Sequence, residues 1–167
     1  MKIIVKPPAS CSRQELDEFQ RLVELGEEVM ANGLRRRISG AFLLAFACIG
    51  DSVIGVGGLK NPHQSYKKKT FDKSGLTQRC DKFDKELGWV FVIEEHRGKG
   101  LSIRLVEAIL RDAPGCNIFA TSRIDNVAMH EALVKNRFIQ SGKPFISARG
   151  NKMILFLYDL IAMKAQE

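Results

Sequence analysis

The sequence lacks the long apolar runs that membrane-spanning helices need. Its longest runs, Ala41 to Ile49 and Met153 to Tyr158, are far shorter than the roughly 20 residues that cross a bilayer. The first apolar stretch, KIIVK, is followed by two prolines and not by the apolar core of a signal peptide. With 167 residues and 45% hydrophobic content, the chain is predicted to form one globular domain over residues 1–167, with no membrane partner.

Motifs that bind metals or form disulfide frameworks are also missing. The chain has four cysteines, which form no Cys-x-x-Cys motif and lie at Cys11, Cys48, Cys80 and Cys116. Isolated thiols of this kind are typical of reduced proteins, which predicts a cytoplasmic protein. His130 and Glu131 are not followed by the second histidine of a His-Glu-x-x-His motif. We therefore predict no metal site.

Acidic residues are in the minority, which leaves a net charge of +7. The basic residues concentrate at Arg35–Arg37 and between Lys60 and Lys85. Such runs are compatible with a nucleic-acid partner, with an anionic cofactor and with ordinary solvated loops. Because the segment from Lys60 to Lys85 is polar and poorly periodic, we predict a substrate-facing loop or a partly mobile insert there.

The apolar pattern predicts alternating strands and helices along the rest of the chain. Ser12 and Glu15 have the spacing of a capping box, which opens a first helix after an N-terminal strand over residues 1–6. Strands are predicted over 41–49, 52–60, 87–93, 117–121, 138–148 and 152–158, and later helices begin near Leu101 and Val127. Three glycines at Gly55, Gly57 and Gly58 predict a bulge or a close approach of a ligand in the third strand.

The stretch from Glu86 to Leu110 is the most informative part of the sequence. An apolar strand is followed by a turn with two glycines, and the turn opens directly into an amphipathic helix. Glycines let the backbone approach an anion, and the first N–H groups of a helix attract negative charge. The pattern predicts a phosphate-binding set made of Arg97, Gly98, Lys99, Gly100, Leu101 and Ser102.

Two common phosphate loops do not fit this turn. A P-loop needs a glycine at the position of Ile93 and a serine or threonine after Lys99. The dinucleotide-binding fingerprint needs a third glycine at the position of Ile103. The pattern that remains is a strand, an Arg-Gly-x-Gly turn and a helix.

That pattern resembles the acetyl-CoA-binding core of the GNAT N-acetyltransferases, whose signature is Arg/Gln-x-x-Gly-x-Gly/Ala. Here Glu95 takes the first position of the signature. The resemblance covers residues 41–158 well and the first forty only by element order. It implies an α/β (α+β) fold, with a mixed, mostly antiparallel central sheet, helices on both faces and splayed central strands that bind acetyl-CoA.

The resemblance implies direct transfer of an acetyl group from acetyl-CoA, as co-substrate, to a primary amine on a small molecule or a peptide. A homodimer formed through an edge strand is compatible with the fold. Two alternatives remain open. The basic segment is compatible with an acetyltransferase for aminoacyl-tRNA or protein lysine, and the chain could be a catalytically silent module that binds CoA or nucleic acid.

In the family, the pantetheine of the cofactor lies along the central strand. Matching the strand to this sequence puts Glu86 at the position of the general base, although a solvated carboxylate at the start of a strand is the simpler interpretation. The same match gives the Val90 N–H the role of polarising the thioester. The strand that holds the pantetheine would be formed by Val90, Phe91 and Val92.

The second family signature lies in the helix that follows Asn126, which would contact the cofactor or simply cap the helix. Leu133 replaces the tyrosine that commonly protonates the leaving thiolate in the family. The alternatives are His130 as the acid, a tyrosine from elsewhere (Tyr66 or Tyr158), or no dedicated acid.

Overall fold

A computed structural model describes residues 1–166. In this part of the chain the strands are β1 (Lys2–Lys6), β2 (Leu43–Ile49), β3 (Ser52–Lys60), β4 (Lys85–Val92), β5 (Ile118–Arg123), β6 (Ile139–Ile146) and β7 (Lys152–Tyr158). The helices are α1 (Arg13–Leu25), α2 (Leu34–Ser39), α3 (Gln64–Lys73), α4 (Leu101–Arg111), α5 (Val127–Lys135) and α6 (Leu160–Lys164). Short 3₁₀ helices cover Pro8–Ser10, Thr77–Lys82 and Glu94–His96. No helix within residues 1–166 is long and apolar enough to cross a bilayer.

The seven strands form one sheet in the order β1-β2-β3-β4-β5-β7-β6. Strand β4 pairs with β5 in parallel, whereas the β1–β2, β2–β3, β5–β7 and β6–β7 pairs are antiparallel. The predicted α/β fold with a mixed, mostly antiparallel sheet is therefore confirmed.

The chain divides into two compact units, each assembled from two separate segments. Unit 1 contains Met1–Lys60 and Gly88–Pro114, and unit 2 contains Asn61–Leu87 and the residues from Gly115 onward. Strand β4 contributes its first three residues to unit 2 and its last five to unit 1. The assignment of residues 1–167 to one domain stays a prediction.

Helices cover both faces of the sheet in unit 1. On one face, α1 and α2 pack against β2 and β3 around Phe19, Leu22, Phe46 and Trp89, all of which are buried. On the other face, Leu105 and Ile109 of α4 lie directly over β3. The amphipathic pattern of α4 that the sequence predicts is explained by this contact.

The glycines of β3 make room for side chains of the protein itself. A Cβ atom at Gly57 would lie 3.2 Å from Cδ1 of Ile109, and one at Gly58 would lie 2.7 Å from Cε3 of Trp89. The expected ligand surface at these glycines is therefore wrong. The alternative expectation of a bulge is confirmed next to Gly55, because the register between β2 and β3 shifts there and leaves Ile54 as the extra residue.

The predicted capping box at the start of α1 is present. The Ser12 hydroxyl accepts a hydrogen bond from the Glu15 N–H at 3.1 Å, and the Glu15 carboxylate accepts one from the Ser12 N–H at 2.7 Å. The ammonium group of Lys6 donates to the same carboxylate at 2.7 Å. The hydrogen bond from Lys6, followed by the one from the Ser12 backbone, holds the pKa of Glu15 below its usual value.

We expect Glu15→Gln to lower the free energy of unfolding by about 0.5 kcal/mol at neutral pH, because it removes a partly buried ion pair with Lys6 but keeps an acceptor for Ser12. A carboxylate with a lowered pKa stabilises the fold above its unfolded pKa, and this stabilisation is lost as the pH falls through the folded value. Urea denaturation should therefore show the difference at pH 7, and the difference should shrink as the pH falls below about 4. Glu107→Gln, on the exposed face of α4, is the control, and a pH-independent difference for Glu15→Gln would contradict the assignment.

Unit 2 contains a second aromatic core. Phe71 of α3 packs edge-on against Phe119 of β5, with ring centroids 5.3 Å apart, and also against Phe83, which precedes β4. On the opposite face of the sheet, His130 of α5 lies against Phe156 of β7. Helices thus cover both faces of the sheet in this unit too.

The segment from Lys60 to Lys85 is not the loop or mobile insert that the sequence predicts. It contains α3, capped by His63, and the 3₁₀ helix Thr77–Lys82. Its inward residues, Lys67, Thr70, Phe71 and Ser74, are buried and follow helical spacing. Three of these four are polar, so the pattern carries almost no hydrophobic signal.

Candidate functional site

The loop between β4 and α4 has the geometry of an anion-binding turn. Gly98 and Gly100 have φ values of 73° and 71°, in the left-handed region where glycine is favoured. Gly100 is the N-cap of α4, and no side chain caps the helix there. A Cβ atom built at Gly98 would meet no other atom within 4 Å, so the loop faces open space. The first N–H groups of α4 are therefore suited to bind an external anion.

Two basic side chains of the loop are held by backbone carbonyls. Nε of Arg97 donates to the Val92 carbonyl at 2.9 Å, and its guanidinium lies 5.5 Å from the centroid of the Phe91 ring. Nζ of Lys99 donates to the Glu95 carbonyl at 3.2 Å. The structure thus brings Phe91, Val92 and Arg97 into contact at the end of β4, and it places positive charge beside the glycines.

Trp89 interrupts the regular geometry of β4. Its φ is 54°, a left-handed conformation that costs a bulky residue about 1–3 kcal/mol. The ring is only 8% exposed and packs edge-on against Phe19, with centroids 6.0 Å apart. Packing of the indole ring in the core of unit 1 therefore maintains this strained backbone conformation. The left-handed residue thus interrupts the extended backbone of β4 immediately before Val90.

Glu86 is a buried carboxylate, with 3% of the residue exposed. The hydroxyl of Tyr66, in α3, donates a hydrogen bond to Oε1 of Glu86 at 2.8 Å. In the register of the parallel β4–β5 pair, Glu86 lies opposite Phe119. Burial excludes the alternative of a solvated carboxylate at the start of the strand.

Desolvation, followed by the nearby charge of Glu86, raises the pKa of Tyr66 well above its usual value. The residue as a whole is 42% exposed, although its hydroxyl is held against the buried Glu86 carboxylate. A phenol in this state keeps its proton across the neutral pH range and acts as a donor. Of the tyrosines considered as alternative acids, Tyr66 is thus bonded to the predicted base, whereas Tyr158 packs against Phe138.

Asn126 is the N-cap of α5, and His130 lies in the first turn of that helix. Oδ1 of Asn126 accepts a hydrogen bond from the Met129 N–H at 3.1 Å, so the N-cap alternative is confirmed. Nε2 of His130 lies 2.9 Å from the Arg123 carbonyl, and a carbonyl only accepts, so Nε2 must carry the proton. Leu133, at the position of the family's tyrosine, is completely buried. The predicted roles of Asn126 at the cofactor and His130 as an acid stay predictions.

The sequence profile of the acetyltransferase (GNAT) family matches residues 9–136, which is more than half of the chain. The chain belongs to the GNAT family. The resemblance drawn from the β4–α4 turn is thereby confirmed. No curated protein matches the sequence.

Solved structures share the fold of this GNAT chain at low sequence identity. An acyl-CoA N-acyltransferase from Pseudomonas aeruginosa is 14% identical, with a TM-score of 0.64 over 93% of this chain and 97% of that one. A GNAT-family acetyltransferase from Bacillus cereus is 19% identical, with a TM-score of 0.65 over 95% and 98%. The NatC complex bound to Gag peptide and CoA is 16% identical, with a TM-score of 0.66 over 96% and 99%. At these identities the likeness concerns the fold.

One buried polar residue near Glu86 was not singled out from the sequence of this GNAT chain. Lys67 is 4% exposed, and its Nζ donates to the Phe83 carbonyl at 3.0 Å, which ties α3 to the chain just before β4. The only signal in the sequence is the helical spacing of Lys67 with Thr70 and Phe71. No group of three or more His, Cys, Asp or Glu side chains in residues 1–166 could hold a metal ion.

Proposed function

We propose that this GNAT-family protein is an N-acetyltransferase that moves an acetyl group from acetyl-CoA to a primary amine by direct transfer. The observation that carries the proposal is the arrangement along β4. The strand bears a buried carboxylate at Glu86, an irregular backbone before Val90, and an anion-binding turn at its end. A base, an oxyanion donor and a cofactor clamp are the three functions that amine acetylation requires.

The residues of the turn fit acetyl-CoA, which supplies an activated acetyl thioester when bound. The open space at Gly98 and the uncapped N-terminus of α4 suit a pyrophosphate, and Arg97 and Lys99 supply positive charge. We assign pyrophosphate binding to the segment Arg97–Ser102. The net charge of +7 would attract an anionic co-substrate of this kind.

In the proposed reaction, Glu86 accepts the proton of the acceptor ammonium, directly or through a water. The Val90 N–H donates to the thioester oxygen, and the strand residues Val90, Phe91 and Val92 hold the pantetheine. The Val92 carbonyl already accepts a hydrogen bond from Arg97, so the N–H of Val92 is the group that we assign to the pantetheine.

The remaining assignments concern α5. We assign a cofactor contact to the amide nitrogen of Asn126, because its oxygen caps the helix. His130 could serve as an acid only through Nδ1, and therefore only as an imidazolium, because Nε2 is held by the Arg123 carbonyl. The acceptor is an amine on a small molecule or a peptide. The structurally similar NatC complex was solved with a peptide and CoA, which supports this substrate class.

The proposal is tested by thermal unfolding with and without acetyl-CoA. A ligand at 100 times its Kd stabilises the folded state by about 2.7 kcal/mol, which raises Tm by about 5–10 °C for a protein of this size. Gly98→Asp places a carboxylate at the assigned pyrophosphate site, and aspartate tolerates the left-handed conformation. We expect this change to weaken acetyl-CoA binding about tenfold or more through charge repulsion.

Two matched controls separate the effect of the new charge from the effects of side-chain size and backbone conformation. Gly98→Asn has the same size and backbone preference as Gly98→Asp but no charge, so it should weaken binding much less. Gly115 has a φ of 78° and is equally open, so Gly115→Asp imposes the same backbone change away from the turn and should bind acetyl-CoA normally. The absence of any rise in Tm with acetyl-CoA or CoA in the wild-type protein would contradict the proposal.

A further inference from the structure

We propose that Tyr66 is a positioning residue, whose hydroxyl fixes the orientation of the Glu86 carboxylate for proton transfer. The inference rests on the proposed role of Glu86 as the general base. It gives α3 a role in catalysis. This helix lies in the basic segment, where the sequence predicted no helix.

The geometry of the pair fits this role. The Tyr66 hydroxyl lies 2.8 Å from Oε1 of Glu86, and the carboxylate is buried. A hydrogen bond donated to a carboxylate oxygen fixes the orientation of the group. Because Tyr66 keeps its proton at neutral pH, it remains a donor and does not compete with Glu86 for the proton of the substrate.

The helix that carries Tyr66 is firmly anchored. Lys67, the next residue, binds the Phe83 carbonyl, and Phe71, one turn later, packs between Phe83 and Phe119. The Thr70 hydroxyl donates to the Tyr66 carbonyl at 3.0 Å. The position of the Tyr66 hydroxyl is thus set by the core of unit 2 and not by a mobile loop.

Charged and polar side chains other than Tyr66 and Glu86 also lie on or near β4. On α3, Nζ of Lys67 binds the Phe83 carbonyl and lies 3.9 Å from Asp84. On β5, Thr121 is a polar neighbour of Tyr66. On β3, Nζ of Lys60 lies 5.2 Å from the centroid of the Trp89 ring and close to Gly88, and Lys85 lies on β4 itself. Changing Tyr66 to phenylalanine leaves all these charges in place.

The test is the steady-state kinetics of Tyr66→Phe, measured as CoA release with the fastest amine of a screening panel. Loss of the hydrogen bond that orients the base should lower kcat about tenfold. KM for acetyl-CoA should stay within about twofold of the wild-type value, because the cofactor is assigned to the turn after β4. Tyr158→Phe, which removes the chain's other tyrosine hydroxyl, is the control and should leave kcat unchanged.

A double-mutant cycle separates positioning from a purely structural effect. Tyr66→Phe should have less than about a twofold effect on the rate in a Glu86→Gln background, because the two residues act through one group. An unchanged kcat in Tyr66→Phe, or equal losses in both backgrounds, would overturn the inference. If Glu86→Gln itself kept full activity, the proposed base would fail instead, and acetyl-CoA binding would remain as an independent test of the cofactor site.

A spectroscopic readout needs no substrate. In a Tyr158→Phe background, Tyr66 is the only tyrosine, so its phenolate absorbance reports its ionisation directly. The midpoint should be higher with Glu86 present than in Glu86→Gln, because the neighbouring carboxylate opposes a second negative charge. Equal midpoints in the two proteins would contradict the pairing of Tyr66 with Glu86.

Discussion

Glu86→Gln should lower kcat/KM at neutral pH by about 10²- to 10⁴-fold, the usual contribution of a general base. The amide oxygen of glutamine can still accept the hydrogen bond from Tyr66, so the local fold should persist. Binding of acetyl-CoA, which we assign to the turn after β4, should be unchanged.

The pH dependence of this variant is more diagnostic than its rate at one pH. Without a base, the reaction depends on the small fraction of acceptor that is already a neutral amine, and this fraction rises tenfold per pH unit up to about pH 10. The deficit of Glu86→Gln should therefore shrink steadily as the pH rises. Asp84→Asn, an exposed carboxylate two residues earlier, is the matched control. A deficit smaller than about threefold at every pH would exclude Glu86 as the base.

Among alanine substitutions at the glycines of β3, Gly58→Ala should destabilise the fold the most. The new Cβ would lie 2.7 Å from Cε3 of Trp89 and 3.6 Å from Cζ of Phe19. Neither ring can retreat, because both are buried and packed edge-on against each other. Overpacking of this kind costs about 2 kcal/mol, or about 4–8 °C in Tm.

The neighbouring glycine is the control for this experiment. A Cβ at Gly57 would meet Cδ1 of Ile109 at 3.2 Å, and the end of an isoleucine side chain can move by a few tenths of an ångström. Gly57→Ala should therefore cost less than about 1 kcal/mol. Trp89 is the only tryptophan, so its fluorescence during urea denaturation reports directly on the affected core. Equal losses in the two variants would contradict the explanation.

The order of strands and helices could be predicted because each carries a strong local signal. The capping box at Ser12, the apolar run of β4 and the two glycines before α4 are patterns that depend on near neighbours in sequence. Helix α3 lacked such a signal. Its buried face is formed largely by Lys67, Thr70 and Ser74, which pack inward because their polar ends are bonded to carbonyls.

The candidate site was predictable in part for the same reason. The turn at Arg97–Ser102 is local, so its sequence identified it. The Tyr66–Glu86 bond joins residues twenty positions apart, and nothing in the sequence between them predicts the contact. The left-handed conformation of Trp89 was equally hidden, since sequence preference disfavours it and only packing against Phe19 and Gly58 maintains it.

The discontinuous build of unit 1 has a consequence for synthesis on the ribosome. The pocket formed by Phe19, Phe46 and Gly58 is complete in sequence by Lys60, but the indole that fills it arrives only with Trp89. At ordinary elongation rates the delay is on the order of seconds, which is long compared with the collapse of a chain of this length. During that interval the nascent chain exposes an apolar surface to chaperones and to neighbouring chains. Slower translation between residues 61 and 89 prolongs that exposure.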